Sequence, residues 1–504
     1  MYDLIIKNAT VLDGTGADGF LSDVAIKDGK IAKLGVGLEG SEQVIDATGL
    51  TLSPGWIDSH SHSDSSIVSF PDQREKIEQG ITFSITGQCG GSVAPRRLKD
   101  GTLQTMGEFL EKAKNIPQGS SSKVLVGFNS LRKAVMGTEN RAATKEELET
   151  MKELLREAMR GGALGVSYGL IYVPGCYAST EEVVEIAKVV KEFDGILASH
   201  IRNEGDTLLE AVEEYLIAIR ESGCRAVFSH HKSARKQNWG KVKKSLALID
   251  KAIEEGYDIY ADVYPYCASH TSLSTTFIPK KFHYEGLKNV LSLLDDPAVC
   301  ENIKEYMDGI YDGDYSWTMI ASCPAFKEYE GLTLQRIAEI RNEHPIDAVH
   351  NIIRAGKGVG GGCYFTMCEE DVEYIIKHPR VMICTDSGVK GNATYCHPRL
   401  RASFPRALGE YARNRGIVSI PEMIRKMTSM PAHVYKLEGK GVIAEGMDAD
   451  ICIFDADKII DRADFKNCFE KNEGLSYVIV DGKIVVEDGV YNGTRAGKVI
   501  TCNY

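Results

Sequence analysis

Among 504 residues, no hydrophobic run approaches the roughly 20 residues a membrane-spanning helix needs. The opening MYDLIIKNATVLDGTG is apolar for only a few residues before Lys7 and Asn8, too short for a signal-peptide core. There is no low-complexity tract, which excludes a fibrous or disordered chain. No basic patch offsets the formal net charge of −12, so neither nucleic acid nor a membrane is an expected partner. Cys-x-x-Cys is absent too, which argues against a zinc finger. The thirteen cysteines are odd in number and scattered, as reduced thiols of a cytoplasmic protein would be.

What is present divides into three parts. Residues 1–53 read as short strands, with Asp28-Gly29 as a hairpin turn, and residues 436–504 repeat that texture in ADICIFD, SYVIVDGKIVVEDG (turn at Asp481-Gly482) and GKVIT. A few short strands cannot bury both faces alone, so the two termini are expected to combine into one small β-sandwich. Between them, over 54–435, short apolar runs alternate with amphipathic helices. The runs are GWIDSH, ITFSIT, KVLVGF, ALGVSY, GILASH, RAVFSH, DIYADV and VMICTD. Thr144 with Glu147, and Ser179 with Glu182, fit capping boxes. Val242, Leu246, Ile249 and Ile253 share one helical face, and Gly161, Gly195 and Gly256 are expected to stop helices before the next strand.

Eight alternating βα units predict an α/β protein, a (β/α)8 TIM barrel, although an open doubly wound sheet has the same local pattern. Polar residues favour the barrel, because His60, His200, His230 and Asp386 fall at the C-terminal ends of candidate strands. The gap between the seventh and eighth strands far exceeds the roughly 30-residue βαβ spacing, so an insertion is expected at about 270–365. Its expected helices are TLQRIAEIRNEH and DAVHNIIRAG, with the DDPAVC stretch read as loop.

The first strand ends in Asp58-Ser59-His60-Ser61-His62. Residues i and i+2 of an extended segment face the same side, so His60 and His62 can offer two imidazoles to one ion. The glycine-rich turn Thr86-Gly87-Gln88-Cys89-Gly90-Gly91 can bring a thiolate to the same rim. Strand five adds His200, strand six His230 or His231, and strand eight Asp386. Nitrogen and sulfur donors with a nearby carboxylate suit catalytic zinc. Spacing does not decide between His230 and His231. His230 is preferred because Lys232, two residues on, would then face the same cavity.

The strings PGWIDSHSH, TGQCG, ASHIRNE, SHHK, DVYPY, CTDSG and HPRLRASFPRALG, with GVIAEGMDADICIFD, resemble the amidohydrolase superfamily and, within it, the N-acyl-D-amino-acid deacylases (D-aminoacylases). The resemblance spans nearly the whole chain. Other amidohydrolases bridge two metals with a carboxylated lysine on strand four; ALGVSYG has no lysine, and Cys89 takes that place. The resemblance implies a tight Zn2+ site of Cys89, His200 and His230, and a second, weaker site outlined by His60, His62, Cys89 and Asp386. It also implies hydrolysis of N-acyl-D-amino acids to a carboxylate and a free D-amino acid. Asp386 would act as general base on the attacking water and then as general acid.

A small-molecule substrate with a free carboxylate needs cations and hydrogen-bond donors. Lys232, Tyr264 and Arg399 are the candidates, with Tyr266 competing for Tyr264's role and Tyr172 available to polarise the carbonyl. By resemblance Met367 would line an apolar subsite, while His270 stands where a small polar residue is usual and Phe128 where a histidine is. Alternative readings are a cyclic-amide hydrolase of the hydantoinase or dihydropyrimidinase kind, a D- or isoaspartyl-peptidase, and a non-catalytic barrel scaffold. Homo-oligomerisation is left open.

Overall fold

A computed structural model describes residues 1–283, 286–389, 391 and 396–504 of the chain. The fold is α/β. Each of the eight anticipated apolar runs forms a strand, and neighbours in sequence pair in parallel. Trp56–Asp58 lies beside Ile81–Thr86, which lies beside Ser121–Val124. After a one-residue break at Leu125 the same segment resumes as Val126–Gly127. It pairs with Gly165–Gly169, followed by Ile196–His200, Arg225–Phe228, Ile259–Val263 and Val381–Ile383. The last of these returns to the first: Ser61 forms a parallel bridge with Ser387, and Asp386 N donates to His60 O at 2.9 Å. Parallel strands covered on both faces need apolar side chains on both, which is why these runs are continuous rather than alternating.

The helices between them follow their local signals. Thr144 caps Lys145–Arg160 and Ser179 caps Thr180–Glu192, each in a complete capping box. Val242, Leu246 and Ile249 of Val242–Glu254 are buried and Ile253 partly so. Of the three anticipated glycine stops, only Gly256 takes a positive φ (+99°); Gly161 closes its helix in right-handed geometry, and before Gly195 it is Asp194 that turns left-handed.

Strands from both termini share one hydrogen-bonded sheet, joined where Ile451–Phe454 runs antiparallel to Thr51–Pro54. Asp28-Gly29 and Asp481-Gly482 have positive φ at both positions, as a two-residue hairpin turn matched to strand twist requires. GKVIT departs from expectation. Gly497 and Val499 bridge Gln118 and Ser122 of the central domain rather than joining the terminal sheet.

The stretch between the seventh and eighth strands carries an antiparallel sheet of Ser269–Ser272, Gly361–Tyr364 and Thr318–Ser322. Its own core includes Phe277, Tyr315, Ile337 and Val349. Leu334–Arg341 and Pro345–Ala355 are the expected helices. The DDPAVC stretch, read as loop, instead starts the helix Pro297–Tyr311: the Asp296 carboxylate accepts from Ala298 N and Pro297 fills the first turn. Asp-Pro is a helix start as well as a turn signal.

Candidate active site

The strand ends converge. Cys89 Sγ lies 3.2 Å from His60 Nε2 and 3.2 Å from His230 Nε2, and donor atoms of His60, Cys89, His230 and Asp386 all lie within 4.8 Å of one another. His200 stacks edge-on against His230 with ring centroids 4.4 Å apart. Asp386 accepts from His62 Nε2 at 3.0 Å and lies 3.5 Å from His60 Nε2. His231 points elsewhere, its Nε2 3.0 Å from Ser245 Oγ on the covering helix.

The backbone is bent to make this cluster. Cys89, His230 and Asp386 all have left-handed φ (53°, 36° and 46°), a conformation that costs free energy for non-glycine residues and persists where surrounding structure holds it. The glycines around Cys89 are required: a Cβ at Gly87 would stand 2.2 Å from Leu125 O, and one at Gly90 2.5 Å from Asn129 Oδ1. Beneath the cluster, Lys76 is buried with Asp58. Its Nζ donates to Asp58 Oδ2 (2.9 Å), Thr385 Oγ1 (2.7 Å) and Ser387 O (2.7 Å). This ties the end of the first strand to that of the eighth, and with it the relative placement of His60 and Asp386. Asp262 accepts from His230 N at 2.6 Å and lies 3.6 Å from His60 Nδ1.

Glu204 was not singled out from the sequence. Its Oε1 lies 2.6 Å from Lys232 Nζ, 3.2 Å from His230 Nδ1 and 3.6 Å from His200 Nε2. The available signal was an acidic residue four positions beyond His200, in the loop that leaves a strand end.

Charge in the cluster is self-compensating. Burial alone would raise the Cys89 thiol, but the His60, His230 and His62 rings hold it well below its ordinary value. Burial disfavours a charged His62 ring, yet Cys89 and Asp386 raise it to about 9. Asp386 is likewise held well below the usual carboxylate range, against the effect of burial, by Arg399 and His230. The donor set fits a transition metal: sulfur and imidazole nitrogen around one point, with neither ring nitrogen of buried His200 hydrogen-bonded among the described residues.

Two cavities meet at the cluster and share Tyr172, His270, Thr271 and Asp386. One, of about 450 Å3, reaches His62 and Arg399; the other, of about 320 Å3, reaches His200, His230, Lys232 and Tyr264. Arg399 Nη1 donates to Asp386 Oδ2 at 2.7 Å, so both expected substrate cations already have carboxylate partners. The Tyr264 ring lies between them, 4.5 Å from Arg399 and 5.5 Å from Lys232. Tyr266 instead packs on His397 and Arg406 and lines neither cavity. Met367 lines neither cavity; it sits behind Tyr264, Sδ 3.9 Å from the phenolic oxygen, so the apolar subsite expected from it is not formed there. Phe128 packs on Tyr168, a core contact.

Comparison with known proteins finds similar chains over nearly the whole length. Residues 43–486 match the amidohydrolase family. N-acyl-D-glutamate deacylase of Alcaligenes xylosoxydans xylosoxydans is 34% identical over 95% of this chain and 93% of its own, and D-aminoacylase of the same organism 31% over 99% and 97%. The crystal structure of N-acyl-D-glutamate deacylase from Bordetella bronchiseptica, complexed with zinc and a phosphonate inhibitor, superposes with a TM-score of 0.86. It is 32% identical, with 99% of this chain and 100% of that one covered. D-hydantoinase of Ralstonia pickettii is more remote, at 22% identity over 97% of this chain and 96% of its own. The chain belongs to the amidohydrolase family, in its N-acyl-D-amino-acid deacylase (D-aminoacylase) branch.

Proposed function

We propose that the protein hydrolyses the amide bond of N-acyl-D-amino acids, releasing a carboxylate and the free D-amino acid, with zinc as the resident metal. The observation that carries this reading is Asp386, which faces the sulfur and imidazole donors on one side and both cavities on the other. Cys89, His200 and His230 would hold the tightly bound ion, and His60, His62, Cys89 and Asp386 a second, weaker one. Zinc bound in such a set acidifies water and polarises an amide carbonyl.

The chain's own groups do the rest. Asp386, ionised beside Arg399, accepts the proton of the attacking water at Oδ1 and delivers it to the departing nitrogen, which leaves as an amine. Burial keeps the Tyr172 hydroxyl protonated, so it can donate to the carbonyl oxygen from its place over His200. Lys232 donates one N–H to Glu204 and has others to offer a substrate carboxylate; Arg399 and Tyr264 complete that contact. Two cations at the cavities suit a free α-carboxylate better than the neutral ring of a cyclic amide.

The same reading takes the central parallel strands as a closed (β/α)8 barrel over 54–435, supported by the return pairing of Ser61 with Ser387. Residues 1–53 and 436–504, apart from the GKVIT stretch that pairs with the central domain, form the β-sandwich, supported by the shared cluster of Leu4, Val24, Ile45, Leu52, Ile451 and Ile479. The insertion at about 270–365 covers the site. Thirteen cysteines, none in a disulfide among the described residues, suit a reducing, cytoplasmic setting. The test is an assay of zinc-loaded protein on N-acetyl and N-formyl D- and L-amino acids, with hydantoin and dihydropyrimidine alongside. Release of free amine from D-substrates is expected; activity on L-forms alone, or on rings alone, overturns the assignment.

A further inference from the structure

A third cavity, of about 410 Å3, lies between the insertion and the central domain. It shares Ile171, Tyr172, Thr275 and Lys280 with the 320 Å3 lobe of the site. Its chemistry differs from the rest of the site. Lys133, Lys280 and His283 line it together with the hydroxyl side chains of Thr138, Ser274 and Thr275. Among the described residues no carboxylate lines it, and none acts on Lys133 or Lys280.

The other cations near the substrate lobe are compensated. Lys232 pairs with Glu204, Arg202 with Glu214, and Arg235 with Asp206. Among the described residues Lys280 Nζ has only the carbonyl of Arg202, at 3.4 Å. Uncompensated ammonium groups beside hydroxyl donors favour an anion. The two spaces adjoin: Tyr172 walls this cavity and its ring centroid lies 4.9 Å from that of His200, while Thr275 and Lys280 line both this cavity and the substrate lobe.

We infer that Lys280 and Lys133 hold the side-chain carboxylate of the substrate in this cavity, so that the preferred substrates are N-acyl derivatives of acidic D-amino acids. This rests on the deacylase reading above and adds to it the identity of the side chain. The substrate lobe itself is mixed, with Ile310, Tyr311 and Trp317 beside Ser269, Thr276 and Thr366, so the charge selection falls to the adjoining lysine cavity. A site that hydrogen-bonds and charge-pairs a polar group rejects an isostere lacking the charge more strongly than an apolar pocket could.

The experiment compares kcat/KM for N-acetyl-D-glutamate and its neutral isostere N-acetyl-D-glutamine in zinc-loaded wild type, Lys280→Met, Lys280→Arg and Lys133→Met. The wild type should favour glutamate at least tenfold. Lys280→Met and Lys133→Met should each lower that ratio about tenfold, chiefly through KM for glutamate, and Lys280→Arg should keep it. An unchanged ratio in both methionine variants, a wild-type preference for glutamine, or a penalty that follows an N-succinyl acyl group instead of the side chain overturns the inference. Calorimetric titration with D-glutamate reads the same contact without turnover: binding should weaken at least tenfold in Lys280→Met, and equal binding overturns it. If no N-acyl substrate is hydrolysed yet D-glutamate binding still depends on Lys280, the deacylase reading falls and the anion site stands.

Discussion

Lys232 Nζ lies 2.6 Å from Glu204 Oε1, and both groups lie within 3.2 Å of Nδ1 of His230. A histidine that presents Nε2 to a metal is oriented by what holds its other nitrogen, and carboxylates in that position raise ligand basicity. On the proposed function, Glu204 would act on the metal through His230 and on the substrate through Lys232.

Glu204→Gln keeps the shape and removes the charge. Metal affinity should fall about 10- to 100-fold, measured by competition with a chromogenic chelator. Unchanged affinity would restrict Glu204 to neutralising Lys232.

Cys89→Ala removes the sulfur at the centre of the donor set. The variant should retain far-UV circular dichroism yet lose its stoichiometric zinc in elemental analysis, with hydrolysis at background. Full metal content would refute the central role of the thiolate.

Asp386→Asn, in contrast, should retain the tightly bound ion while kcat drops by about 10^2- to 10^4-fold, the usual worth of a positioned acid–base group. Turnover near that of wild type would remove Asp386 from proton transfer.

His350, in the helix Pro345–Ala355, is buried with neither ring nitrogen hydrogen-bonded among the described residues. Burial lowers its pKa to about 4, against an ordinary value near 6.5. Between those values the unfolded chain binds a proton that the folded chain does not. Its contribution to stability is therefore complete above about pH 6.5 and lost as pH falls through 4, up to about 3 kcal/mol. Amide-exchange protection of residues 345–355 should decline between pH 6.5 and 4, and His350→Leu should flatten that decline. Parallel declines in both proteins would assign the acid lability to another group.

The strands were legible because a parallel strand buried on both faces leaves an uninterrupted apolar run, and the site was legible because polar residues at the ends of such runs have one common place to go. The helix starts at Thr144 and Ser179 were legible because capping is local. The helix Pro297–Tyr311 was not, since Asp-Pro serves turns and helix starts equally and packing against the insertion core decides between them. Glu204 escaped notice because a loop carboxylate looks solvated until Lys232 and His230 are seen around it.

By itself, then, the sequence determined the alternation of strands and helices, the turns at Asp28-Gly29 and Asp481-Gly482, and the residue types able to hold a metal. All of these depend on contacts within a few residues of one another. The tertiary structure alone decided that His230 rather than His231 faces Cys89, that Lys232 and Arg399 already have carboxylate partners, that Met367 is withdrawn behind Tyr264, and that Lys133 and Lys280 share a cavity lined by no carboxylate among the described residues. Those outcomes depend on side chains tens to hundreds of positions apart. Direction and charge balance at such a distance are set by packing, which no local pattern encodes.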